Sequence, residues 1–274
     1  MSWQDAENFS EALRQSHLPS VDRFLELNPE YAEVGKFCIA MCLIPYENPN
    51  NLMNRGEATS PHGEDYRWYE YLFEVLTEGL QEPQGFRQNN LSIITFNYDR
   101  SLDYFLTASL KYAFGIRTEV AENIRSDGVP IVHVHGKLGS LFGGLAPRRG
   151  YTKDPHPHSV GEAAKSIELV HENSERDRFD EAIELLDDAE LICFLGNGYH
   201  RRNLEKLELD FVFGEKSSQM PKVKGTGVGL TESEREEVNE MFGEWAPYDN
   251  GMYSLFPRQG ATNLELLRKD VRLE

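Results

Sequence analysis

The chain is poor in cysteine, poor in basic residues and has no long apolar run. Its three cysteines, Cys38, Cys42 and Cys193, are an odd number, and no two form a C-x-x-C pair. That spacing suits no structural zinc module and no disulfide framework. Cys38 and Cys42 stand four apart in an apolar, helix-like stretch and are expected on one buried face. Cys193 lies within the run LICFL. All three read as buried free thiols of a reducing compartment. Lys and Arg number 28 against 46 Asp and Glu, a formal net charge of −18. An acidic surface repels phosphate backbones, which disfavours non-specific binding to DNA or RNA; no long Lys/Arg run appears, and only a local basic patch stays open. The run FCIAMCLI is far too short to cross a bilayer, so no membrane partner is expected. The opening MSWQDAENFSEALRQ has neither a basic n-region nor an apolar h-region, so no signal peptide and a cytoplasmic location are expected.

What remains is enough for a folded protein. The 274 residues suffice for one large domain or two small ones. Hydrophobic residues make up 39% and charged residues 27%, a globular rather than a disordered balance. Residues 1–88 read as a helical region. Apolar residues recur at three and four in NFSEALRQ and VDRFLELN, and helices are expected over Tyr31 to Ile44 and Asp65 to Leu80. The polar stretch NPNNLMNRGEATSPHGED between them reads as a loop. From Leu91 the pattern changes. LSIITFN, VPIVHVH and AELICFLGNG are short apolar strands, followed by RSLDYFLTASLKYAF, by helix-like sequence up to Asp188 and by HRRNLEKLEL. This alternation predicts an α/β fold with a Rossmann-like, mostly parallel sheet, helices on both faces and an N-terminal helical subdomain. TESEREEVNEMF and NLELLRKDVRL are further helices. Residues 1–274 are expected as one domain, with 89–274 as its nucleotide-binding α/β region.

Each strong strand ends in polar residues or glycine. The ends are Asn97-Tyr98-Asp99, His133-Val134-His135-Gly136 and Gly196-Asn197-Gly198. In open parallel sheets ligands bind outside the carboxyl ends of the strands, so three such ends form a constellation. Each end also has a plain structural reading. Asn97 or Asp99 caps the following helix. Strand alternation places His133 and His135 on one side, where a buried histidine is commonly a hydrogen-bonded core residue. The glycines of LGNG make a tight turn. Gly-x-Gly without a third glycine is a weak nucleotide signal, and the Gly-Lys-Ser/Thr of a P-loop is absent. His133 with His135, and His156 with His158, form two His-x-His pairs, but no acidic ligand motif accompanies them, so no metal site is expected.

TFNYD, HVHG and FLGNGYHRRN, in this order, resemble the bacterial sirtuin-like family, in the NAD-consuming branch associated with antiphage defence. The helical stretch before Leu91 and the segment GTGVGLTESE also resemble it. The resemblance implies NAD as substrate or ligand. It implies His135 and Asn97 as catalytic residues, with His135 a general base and Asn97 orienting a water or a ribose hydroxyl. Thr95, Asp99, Gly136, Gly196, Asn197, Gly198 and Asn203 would contact the dinucleotide, Asp99 at the nicotinamide carboxamide. Partners would be a small-molecule nucleotide and a protein activator or a second copy of the chain. Two departures matter. The four-cysteine zinc module of the deacylase branch is missing, so no zinc is expected and deacylation or ADP-ribosyl transfer is disfavoured. The G-A-G-x-S turn that wraps the pyrophosphate is not found before Leu91. Its absence leaves three readings open: a hydrolase whose longer gene product supplies the turn, a sensor that binds NAD or ADP-ribose without turnover, or an inactive copy.

Overall fold

In a computed structural model the chain is described over residues 3–18, 20–53, 68–142, 149–169, 173–213, 221–245, 255–258 and 260–271. Contacts divide it into two units, Met1–Ala58 with Leu80–Arg178, and Thr59–Gly79 with Phe179–Glu274. The region 1–88 contributes helices to both.

The first unit opens with α1 (Trp3–Ser16), α2 (Val21–Leu27) and α3 (Ala32–Leu43). Ser20 caps α2 by accepting the Arg23 amide at 3.1 Å, satisfying a donor that a helix start leaves unpaired. Gly35 lets α2 and α3 meet closely, because a Cβ there would stand 2.5 Å from a Leu25 methyl. Phe9, Phe24, Leu25, Ile39 and Ala40 then share a core with Val160, Ala163 and Ile167, the first two of which lie in α8 (Pro157–Ala164). Phe9, Phe24 and Tyr31 close it with ring centroids 5.6–5.9 Å apart. Cys42, in the last turn of α3, is exposed, and Cys38 is half-buried. The expected shared buried face fails because Val34, Gly35, Ile39 and Ala40 fill the buried positions of this helix. A short helix α4 (Pro49–Met53) starts the stretch expected as loop, and 54–65 lies outside the described residues.

Strand β1 (Ile93–Thr95) pairs in parallel with β2 (Ile131–His133), Thr95 opposite His133. Between them run α6 (Ser101–Phe114) and α7 (Thr118–Gly128), which pack on each other. Gly115, at φ 63°, ends α6 in the left-handed conformation that a helix terminus commonly uses.

The second unit contains α5 (Trp68–Thr77) and most of α9 (Asn173–Asp187). Its β3 (Leu191–Phe194) pairs in parallel with β4 (Lys222–Gly225). Then come α10 (Arg201–Lys206), α11 (Leu209–Val212), α12 (Glu232–Trp245) and α13 (Asn263–Lys269). Leu266, Leu267 and Val271 pack with Trp68, Tyr71, Leu191 and Cys193. A capping box starts α13: Thr262 accepts the Glu265 amide at 3.2 Å and Glu265 accepts the Thr262 amide at 3.3 Å. Residues 65–67 of the helix expected from Asp65, and the end of NLELLRKDVRL beyond 271, lie outside the described residues.

The fold is thus mixed α/β with parallel strand pairing. Among the described residues the four strands make two separate two-stranded sheets, not one. Each strand is three or four residues long. No helix among the described residues is long and apolar enough to cross a membrane.

Candidate functional site

In the first unit, the carboxyl ends of β1 and β2 lie side by side and bring Thr95, Asn97, Asp99, His135 and Gly136 into neighbouring turns. Thr95 Oγ1 accepts the Asn97 amide at 3.1 Å, which starts the turn. Asn97 is exposed, and its backbone carbonyl meets His133 Nδ1 at 3.1 Å. Asp99 Oδ1 accepts the Ser101 amide at 3.0 Å and leads the chain into α6. Arg100 holds the cap position without a side-chain cap bond. Of the two residues offered as caps, Asp99 does the local turning and Asn97 does not cap α6.

Strand β2 stops at His133, two residues before the alternation of VHVH predicts. The chain turns there because the Gly136 amide donates to the His133 carbonyl at 3.0 Å with Gly136 at φ 73°. His133 and His135 therefore do not share a strand face. A Cβ at Gly136 would run into the Ser166 carbonyl, so the close approach this glycine permits is to the chain itself. Residues 135–137 pair with 166–168: Lys137 donates to the Ser166 carbonyl at 3.2 Å and Glu168 to that of His135 at 3.0 Å. The buried His135 ring lies 5.8 Å from that of Phe96 and 6.4 Å from that of Tyr98. The Tyr98 hydroxyl donates to Asp22 in α2 at 2.9 Å.

Two buried charge clusters support these turns. Asp103, in the first turn of α6, meets His133 Nε2 at 2.9 Å and Lys137 Nζ at 3.3 Å, with Arg125 at 4.0 Å. His133 thus faces two acceptors, the Asp103 carboxylate and the Asn97 carbonyl. Burial pushes the Asp103 carboxyl up. The charge and hydrogen bond of His133, with Lys137 and Arg125, outweigh it and hold the group well below the usual carboxylate range.

The second cluster surrounds Arg100, which is fully buried. Its guanidinium grips Glu47 through 2.9 and 2.6 Å bonds and donates to the carbonyls of Gly139, Arg149 and Gly150 at 2.8–3.2 Å. Arg149 also binds Glu47 and donates to the Leu138 carbonyl at 3.1 Å. Burial lowers both guanidinium pKa values to about 10, which leaves them charged at neutral pH. Sequence reasoning missed Glu47, Asp103 and Arg149. The only local signal was a charge at Asp103 within the otherwise apolar first turns of α6.

The glycine turn predicted after the third strand lies in the second unit. Gly196, at φ 61°, donates its amide to Thr226 Oγ1 at 2.8 Å. Asn197 Oδ1 accepts the Tyr199 amide at 2.6 Å, and the Tyr199 hydroxyl donates to the Thr226 carbonyl at 2.9 Å. A Cβ at Gly225 would strike that hydroxyl. Gly198 is exposed, and Asn203 sits half-buried in α10. The Cys193 thiol, half-buried rather than buried as expected, is pushed up to about 12 by desolvation and is therefore unreactive.

His156 accepts the His158 amide at 3.4 Å at the start of α8, a local role for that His-x-His pair. Among the described residues no three His, Cys, Asp or Glu side chains gather as metal ligands. No family model, no curated protein and no solved structure matches the chain.

Proposed function

We propose that the chain binds NAD at the carboxyl ends of β1 and β2 and hydrolyses it to nicotinamide and ADP-ribose. In this reading the paired strands are part of a Rossmann-like nucleotide site. The observation that carries it is the placement of His135 in the turn after β2, beside the rings of Phe96 and Tyr98 and next to the exposed Asn97 turn of the adjacent parallel strand. Such strand ends are where α/β proteins hold nucleotides.

The chemistry suits these residue types. Nicotinamide leaves NAD as a neutral base from a pyridinium, so the leaving group needs no acid. The ribose carbon becomes oxocarbenium-like, and the protein must orient a nucleophile and accept its proton. Asn97 orients the water or ribose hydroxyl, and His135 accepts the proton. Asp99 meets the carboxamide with the part of its carboxylate not used by the Ser101 amide.

A second reading, a sensor that binds NAD or ADP-ribose without turnover, is favoured by the burial of His135, which is only 7% exposed. Nicotinamide release from NAD, with calorimetric binding of NAD and ADP-ribose, separates the two. The hydrolase reading expects release by the wild type, and expects His135→Ala to abolish release while retaining binding. Binding without release supports the sensor. A wild-type chain that binds neither nucleotide overturns both.

A further inference from the structure

We infer that Asp103 is a positioning residue: its one carboxylate ties together both ends of the turn His133–Lys137 and so sets where His135 and Gly136 stand. The inference deepens the NAD-hydrolase reading and rests on it for its kinetic arm.

The two carboxylate oxygens do different things. Oδ2 holds the His133 ring at 2.9 Å, where the turn begins, and Oδ1 holds the Lys137 ammonium at 3.3 Å, where it ends. The rest of the turn is held by other elements. The 166–168 segment pairs with its backbone, and Arg178 donates to the His133 carbonyl at 3.2 Å while gripping Glu168 at 2.7 Å. Asp103 therefore supplies the grip from α6, acting on side chains where these other partners act on the backbone.

The same carboxylate reaches the other candidate residue. The His133 ring it holds meets the Asn97 carbonyl through its second nitrogen at 3.1 Å. Asp103 also lies in the first turn of the helix that Asp99 opens, so the turn carrying Asn97 and the turn carrying His135 share one anchor. The His133 contact has the length of a charge-assisted hydrogen bond and the Lys137 contact is a longer ion pair; Asp103 is only 3% exposed, and that burial strengthens both. A carboxylate that served stability alone would change the unfolding free energy. It would leave turnover at saturating NAD, in molecules that remain folded, unchanged.

The test uses the full chain and three variants. Asp103→Asn keeps the shape and removes the charge. Lys137→Met removes one arm at a side chain that is 28% exposed, so it decides the matter if Asp103→Asn does not fold. Asp127→Asn, at an exposed pair with Arg87, is the control. Nicotinamide release from NAD is measured with histidine ring spectra on the same samples. The expected result is a fall in kcat of about ten-fold in Lys137→Met with KM nearly unchanged, as misplacement of a reacting group produces. The control changes neither. The His135 ring signals move in both Asp103→Asn and Lys137→Met and stay put in the control. Unchanged kcat together with unmoved His135 signals in folded Lys137→Met overturns the inference. A wild-type chain that releases no nicotinamide overturns the functional reading instead. The ring spectra then decide the positioning role by themselves: a shift supports it and the absence of one overturns it.

Discussion

Gly136 sits at φ 73° with the Ser166 carbonyl where a methyl group would go. Gly136→Ala is expected to cost about 2 kcal/mol from backbone strain alone, with the collision added, read from urea unfolding. Asp103 makes a prediction about acid. Its folded pKa lies below its unfolded value, so its contribution is complete above the unfolded value and is lost as pH falls through the folded one. The wild type should lose stability steadily below about pH 4, and Asp103→Asn should flatten that limb, in urea midpoints stepped downward from about pH 5. At this scale the sequence shows what is local. His135, Gly136, Asn97 and Asp99 stand out because polar residues follow an apolar strand. Asp103 does not, because the histidine that gives it meaning is 30 residues away, and Glu47 is 53 residues from Arg100.

At the scale of elements, period and composition reveal the long helices well. Helices α3, α6 and α12 fall where the apolar spacing puts them. The helix read through HRRNLEKLEL breaks after Lys206, where Glu208 takes φ 50°, and resumes as α11. Strand β4, KVKG, passed unnoticed because its lysines at 222 and 224 flank a single buried valine and resemble a loop. Its pairing with β3 makes it a strand, a tertiary cause that no window of sequence contains. The link between these strands can be tested at Thr226, whose hydroxyl accepts the Gly196 amide. Thr226→Val should cost about 1 kcal/mol, the net worth of that hydrogen bond, and should speed amide exchange at Gly196.

At the scale of the whole molecule, the net charge of −18 sets the response to salt. Like charges on the surface repel one another, and salt screens that repulsion over about 8 Å at physiological ionic strength. The thermal midpoint should rise as sodium chloride is added from about 20 mM to about 500 mM, and a flat or falling midpoint would show that attractive surface pairs dominate. The Arg100 cluster has a consequence in time. Its guanidinium joins Glu47, Gly139, Arg149 and Gly150, partners 39 to 53 residues distant along the chain. Closing loops of that length costs entropy before any bond repays it, so the cluster should assemble after the rate-limiting barrier is crossed. Arg100→Met should then cost about 3 kcal/mol, the penalty for leaving a buried charge short of its partner. In stopped-flow experiments nearly all of that cost should appear as faster unfolding, with refolding almost unchanged. The clasp around Arg100 would in that case govern how long the folded chain lasts rather than how quickly it forms.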